Sequence, residues 1–214
     1  MPKVSEAHRD ARRQQILDAA GACFAREGFH RTTMDDIVRA ARLSPGAIYR
    51  YFPSKAAIID AIAAERHARE AALIAAAAAD AGDDTAAALH AIARAFLAPL
   101  ADAAERQRRR VGVQLWAEAL RDPRLCAVAR AGIARPRRLL AAVLRDGQRR
   151  GSVPAGLDAD AAARAMIALF QGFILQQAWE PRVAVGPYLA TIEATIAAIA
   201  PPATARQRER RGAK

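Results

Sequence analysis

The sequence predicts an all-α protein. Apolar residues recur at three- and four-residue spacing along nearly the whole chain. No alternating run of Val, Ile and Thr is bounded by turn dipeptides, so strand signals are nearly absent. The periodic segments are also bracketed by helix start and stop residues. With 214 residues, there is room for a small domain joined to a larger one. A hydrophobic share of 53% beside a charged share of 26% marks a folded globular chain rather than a disordered one.

The first helix is predicted over roughly residues 8–27. Ile16, Ala20, Cys23 and Phe24 lie on one face, Arg9, Arg12 and Arg13 lie outside, and Gly28 is the stop. The next segment, "RTTMDDIVRAA", starts a short helix with Thr33 as N-cap and Asp36 as the acid of a capping box. Asp35 and Asp36 also suit its positive end. After a tight break, Ser44 caps a third helix and Pro45 takes its first position, where a missing N–H costs nothing. Pro53 keeps this helix short. Ser54 then caps a fourth helix running from Lys55 to about Ala79. Two short helices over 33–41 and 45–51, joined by three residues, form a helix-turn-helix pattern. Ile37, Phe24, Leu43 and Ile48 are its predicted core, which leaves Ala47, Tyr49, Arg50 and Tyr51 mostly outside.

Longer helices follow. One starts after "GDD" at Thr85, and one spans "ERQRRRVGVQLWAEALRD". Another covers about 124–150 with Pro136 inside as a kink, and the last two cover about 159–180 and 187–199. Asp158 is the predicted cap of the helix at 159. The tail "PPATARQRERRGAK" combines two prolines with charge and is expected to be disordered. There is no internal repeat.

The formal net charge of +11 attracts polyanions, nucleic acid first among them. Lysine stands only at Lys3, Lys55 and Lys214, so the rest of the positive charge is arginine. Cys23 and Cys126 sit in apolar helical patterns about a hundred positions apart and read as core residues of a reducing compartment. No Cys/His cluster offers a metal site, and no cofactor is implied. The N-terminus shows no signal-type apolar region and no stretch reads as a membrane span. A cytoplasmic protein is therefore expected.

The block "SPGAIYRYFPSK" carries the chemistry. On an exposed helix, the Tyr49 and Tyr51 hydroxyls can donate to phosphate oxygens, and Arg50 can reach guanine O6 and N7. Lys55 and the backbone amides beside it can hold a phosphate. Gly46 and Ala47 are small enough to bring the backbone close to base edges. A core aromatic cluster is the competing reading, and it is preferred for Phe52.

The stretch "GFHRTTMDDIVRAARLSPGAIYRYFPSKAAIIDAI" resembles the DNA-binding domain of the TetR family of bacterial transcriptional regulators. The matching features are Gly28 and Phe29, Thr32 and Thr33, Ile37 and "IYRYFPSK". The likeness covers residues 10–60 closely. It implies an all-helical homodimer of about nine helices, with an N-terminal three-helix domain and a larger C-terminal bundle. Such a protein binds a palindromic operator in double-stranded DNA and is usually released by a small molecule. By position, the resemblance implies that Thr33 holds a phosphate and that Ser44, Pro45, Gly46 and Ala47 lie over bases. Tyr49, Tyr51 and Lys55 would hold the backbone. A histidine is common in the family where this chain has Tyr51. "GVQLWAEALRDPRL" resembles the BetI/AcrR-like branch.

The resulting division is an arm at 1–9, the helix-turn-helix domain at 10–55, a ligand-binding and dimerisation domain at 56–200, and a basic tail at 201–214. The 159–180 helix is apolar on more than one side, so it needs more than one partner surface. Ile167, Phe170, Ile174, Tyr188, Ile192 and Ile196 are the candidates for a four-helix dimer interface, with a fully central core helix as the alternative. The family implies an effector cavity. Candidate lining residues are His67, His90, Phe96, Gln114, Trp116, Glu118, Phe170 and Gln171, which suit a largely apolar or aromatic effector. A cation held by Trp116 and Glu118 is a second possibility.

Two other functions compete with a site-specific, ligand-released repressor. A sequence-tolerant DNA coater fits the charge, "RQRRR" and the tail, but Asp35 and Asp36 beside the reading helix oppose it. An enzyme finds no support in phosphate loops, HExxH, GxSxG or carboxylate pairs.

Overall fold

The computed structural model describes residues 6–201. Among them stand nine α-helices and no strand: α1 (Glu6–Arg31), α2 (Met34–Ala41), α3 (Pro45–Tyr51), α4 (Lys55–Asp80), α5 (Thr85–Leu97), α6 (Ala103–Glu118), α7 (Pro123–Arg149), α8 (Ala159–Trp179) and α9 (Val185–Ile199). A short 3-10 turn at Ala98–Ala101, not foreseen from the sequence, follows α5. The all-α class and the order of elements agree with expectation. Of the predicted arm, residues 6–9 belong to α1 and residues 1–5 lie outside the described residues, as does the predicted tail beyond Pro201.

The helices group into two compact units. One holds the residues up to Arg66 together with Gln107–Ala129, and the other holds His67–Arg106 and the residues from Arg130 on. The division falls inside α4, α6 and α7, so each of these helices contributes residues to both units.

In the first unit, Ile16, Phe24, Ile37, Ile48 and Ile58 are fully buried in one cluster that also takes in Phe52, Val111, Leu115 and Leu125. The Phe24 and Phe29 rings meet edge to face at 4.9 Å. The chain reaches Arg31 as helix, but Gly28 interrupts it with φ 83° and ψ 164°, a conformation essentially reserved for glycine. Gly28 thus stops the regular helix as expected, a short further turn to Arg31 follows the kink, and Phe29 beside it is buried in the core. Gln15 Nε2 donates to the Ala41 carbonyl at 2.8 Å and so ties α1 to the end of α2. Arg124 Nη1 pairs with Asp60 at 2.7 Å.

In the second unit, Ile74, Leu89, Ile92, Leu97, Leu140, Leu144 and Phe173 are buried. Phe96 stacks on Phe170 at 5.6 Å and Phe173 on Tyr188 at 4.2 Å. Arg94 Nε donates to Glu193 at 2.6 Å, which joins α5 to α9. Asp84 and Asp158 cap α5 and α8 through their carboxylates. Pro136 lies buried within α7, which continues past it.

Candidate nucleic-acid interface

The α2–α3 element is built by its caps. Thr33 is the N-cap of α2, its backbone extended, and both halves of the expected capping box are present. The Thr33 hydroxyl accepts from the Asp36 amide at 3.2 Å and donates to Asp36 Oδ2 at 2.7 Å. The Thr33 amide donates to the same carboxylate oxygen at 2.9 Å. Both Thr33 donors are therefore engaged with Asp36. The amides of Met34 and Asp35 precede the first intrahelical bond, from Ile37 to Thr33, and are what the N-terminus of α2 offers an outside oxygen.

These contacts charge Asp36 more readily. The Thr33 hydroxyl, then the Thr33 amide, hold its carboxyl below the ordinary aspartate value; Arg39 adds to the effect and partial desolvation opposes it. A depressed folded value means that the cap contributes stability above the ordinary aspartate pKa and loses it as pH falls through the depressed one. The stability difference between the wild type and Asp36→Asn is accordingly expected to be present at neutral pH. It should shrink as the pH drops below about 4, in denaturant titrations of both proteins.

Ser44 caps α3, its hydroxyl accepting from the Ala47 amide at 3.3 Å, and Pro45 holds the first turn. Ile48 is fully buried and fixes the rotation of α3. Ser44, Pro45, Gly46, Tyr49 and Arg50 are exposed, and Ala47 is half-buried. Tyr49 keeps 49% of its surface in solvent, a large exposure for an aromatic residue. Arg50 has no hydrogen bond or ion pair among the described residues. Gly46 is informative for a different reason. A Cβ added there would meet nothing within 4 Å, so packing does not require glycine at this position. Glycine inside a helix costs about 1 kcal/mol relative to alanine. Nothing within the protomer therefore calls for a bare backbone at Gly46.

Two of the sequence-predicted site residues sit differently from expectation. Tyr51 is half-buried and packs against the core cluster, so only part of it faces outward. Lys55 Nζ donates to the carbonyls of Phe29 at 2.6 Å and Thr32 at 2.8 Å. Two of its three donors thus hold the end of α1. Phe52 is buried, with the Arg13 guanidinium 5.5 Å from its ring centre, in line with the core role preferred for it.

The effector candidates divide between the units. His67, His90, Phe96, Phe170 and Gln171 belong to the second; Gln114, Trp116 and Glu118 belong to the first. The Arg66 guanidinium lies 5.7 Å from the Trp116 ring centre, and Glu118 pairs with His30 at 2.9 Å. His67 lies against the backbone at Gly132, where any Cβ would come within 2.0 Å of its ring. Sequence reasoning passed over Arg137 and Gln177. Among the described residues, His90 Nδ1, Gln114 Oε1, Arg137 Nε and Gln177 Oε1 are buried without a hydrogen-bond partner.

Of the six interface candidates, Phe170, Ile174, Ile192 and Ile196 are buried within the protomer. Ile167 and Tyr188 are half-buried, and the Tyr188 hydroxyl donates to the Leu169 carbonyl at 2.8 Å. The exposed positions of α8 are instead Asp160, Ala161, Arg164, Ala165, Ala168, Leu169, Gln176 and Trp179. The exposed side of α9 carries Ala190, Thr191, Ala194, Thr195 and Ala198.

The sequence patterns of two known protein groups match this chain. "Bacterial regulatory proteins, tetR family" matches residues 16–62, which span most of α1 through the start of α4. "BetI-type transcriptional repressor, C-terminal" matches residues 85–201 and by itself covers more than half of the chain. The chain belongs to the TetR family of transcriptional regulators.

Relatives of this TetR-family member agree. It is 47% identical over 73 residues to the HTH-type transcriptional repressor Rv1474c of Mycobacterium tuberculosis, covering 34% of this chain and 39% of that protein. Its fold matches Salmonella enterica GusR with a TM-score of 0.71 and 25% identity, over 92% of this chain and 98% of the other. It also matches the fatty acid degradation regulator FadR from Bacillus halodurans, with a TM-score of 0.77 and 20% identity over 86% and 94% of the two chains. The TetR family is one of regulators and not of enzymes, which removes the enzyme alternative. The BetI-like likeness of the second half is borne out. No single helix among the described residues is long and apolar enough to cross a membrane.

Proposed function

We propose that this TetR-family member is a cytoplasmic, site-specific repressor that binds a palindromic operator as a homodimer and is released by a small molecule. The exposed face of α3 carries the reading. Gly46 is bare with open space around it, and Tyr49 and Arg50 point outward on the same helix while Ile48 anchors it. In this reading Gly46 and Ala47, with Ser44 and Pro45, approach base edges. Tyr49, the exposed part of Tyr51 and the remaining donor of Lys55 hold phosphates, with Thr33 beside them at α2. Arg50 takes a base. A coater would need charge alone and would have no use for a bare Gly46 next to an unpaired arginine.

Division of labour follows the chain: residues 10–55 read DNA, and residues 56–200 bind the effector and the second copy. The exposed side of α9 is mostly small residues, which lets helices approach closely, and α8 exposes the apolar Leu169 and Trp179, which together suit a four-helix dimer contact. The dimer sets two α3 helices to successive major grooves, about 34–36 Å apart. Effector binding favours a conformer with another spacing, and release requires the effector to bind that conformer better. α4, one of three helices with residues in both units and the one that follows α3, is assigned this coupling. His90, Arg137 and Gln177 each bring a buried polar atom without a partner to the second unit, and Phe96 and Phe170 bring stacked rings. An aromatic or apolar effector would suit the stacked Phe96 and Phe170 rings.

The test is a titration on the protein's own upstream DNA and on a scrambled duplex at about 0.15 M salt. The wild type should prefer the upstream fragment. Arg50→Ala should lose about 1–3 kcal/mol on that fragment and little on the scrambled one, because a bidentate base contact carries sequence information. Equal loss on both duplexes would make Arg50 a phosphate contact and refute its reading role.

A further inference from the structure

Arg42 lies in the turn between α2 and α3, with φ 54° and ψ 41°. It is the one non-glycine residue with positive φ among the described residues. This left-handed conformation disfavours residues with a Cβ, and helix ends that need it take glycine or asparagine. The backbone work of the position is ordinary. The Arg42 amide donates to the Arg39 and Val38 carbonyls and closes α2, a task glycine performs without strain. The arginine side chain therefore has to be explained by something other than the turn. It is exposed, and it makes no hydrogen bond or ion pair among the described residues. Its neighbours differ: Arg39 pairs with Asp36, and Lys55 is held by the Phe29 and Thr32 carbonyls. Arg42 and Arg50 are thus the free cations flanking Ser44–Tyr49 in sequence, one in the turn and one on the reading helix.

We propose that Arg42 is a phosphate-binding residue that clamps the DNA backbone beside the groove read by α3, at the expense of a strained turn. This rests on the DNA-binding reading above and adds a positioning contact to it. A guanidinium matches a phosphate with paired N–H groups, and such contacts set the register of a protein on the duplex without reading sequence. The cation would take over backbone anchoring from Lys55, most of whose donors are spent inside the fold.

Arg42→Gly and Arg42→Lys in the full chain test this. Arg42→Gly should melt a few degrees higher, because glycine relieves the turn. The same variant should bind the upstream fragment and scrambled DNA more weakly by a similar factor, about fivefold to tenfold per protomer at moderate salt. Its plot of log affinity against log salt should be shallower by about 0.9 per protomer. Arg42→Lys should keep the wild-type slope. Higher stability with unchanged affinity and slope in Arg42→Gly would overturn the proposal, as would an Arg42→Lys slope matching that of glycine. Wild-type binding, measured alongside, separates these outcomes from a failure of DNA binding itself.

Discussion

Gly172→Arg is expected to yield a folded monomer that has lost most of its affinity for a palindromic duplex. Gly172 is half-buried on α8, one turn from the exposed Ala168, Leu169 and Gln176, and an added Cβ there meets nothing within 4 Å. The protomer should accept the substitution and even gain some helix propensity. An apolar interface built from this side of α8 and the alanines and threonines of α9 would not accept it, because a packed helix contact leaves no room for a buried guanidinium without a partner. Each protomer would then bind one half-site alone. Losing the linkage between half-sites removes the advantage of effective concentration, about 10²- to 10⁴-fold. Sedimentation should show the monomer, a thermal melt should show intact folding, and the palindrome should be bound little better than a half-site. A Gly172→Arg protein that stays dimeric would place the interface elsewhere. A charge at Ile174 or Ile196 would instead enter the protomer's own core and report unfolding.

Phe24→Ala should be the most damaging single truncation in the DNA-reading unit. Phe24 is fully buried, meets Phe29 edge to face, and shares a cluster with Ile37 and Ile48. Removing a buried phenylalanine costs about 3–5 kcal/mol through lost transfer energy and an unfilled cavity. That is a large share of a typical domain's stability of about 5–15 kcal/mol. Since Ile48 orients α3 against this cluster, DNA binding should fail at temperatures where the wild type still binds and return on cooling. Denaturant titration followed by far-UV circular dichroism measures the loss, and a change under about 1 kcal/mol would show that the cluster repacks without Phe24.

Local chemistry made much of this fold legible. Thr33 with Asp36, Ser44 with Pro45, and Asp158 all announce helix starts through hydrogen bonds closed within a few residues, and each forms as expected. Ile37 and Ile48 were readable as core because helical spacing placed them on inward faces. Contacts between distant residues were not readable. Lys55 reaches back to carbonyls more than twenty positions earlier, so its structural role leaves no trace in spacing. The dimer candidates show a different limit. Choosing the largest apolar residues of α8 and α9 selected mostly those that fill the protomer, while the outer face of α9 is mainly alanine and threonine and that of α8 mixes alanine with Leu169, Gln176 and Trp179. Periodicity locates an apolar face but does not say which of two apolar faces stays uncovered. The strain at Arg42 was equally hidden, since backbone dihedrals follow from the turn geometry and not from residue type.

Site-specific reading by α3 is tested most directly by selection from a pool of randomised duplexes with the full-length protein at about 0.15 M salt, where exposed charges are screened beyond about 8 Å. The expected product is an inverted repeat whose half-sites lie one helical turn, about 34–36 Å, or a multiple of it apart. Arg50→Ala should relax the preference at one base pair of each half-site. Retention of the pool without enrichment, vanishing evenly as salt rises, would contradict the account and leave a sequence-tolerant DNA coater in its place.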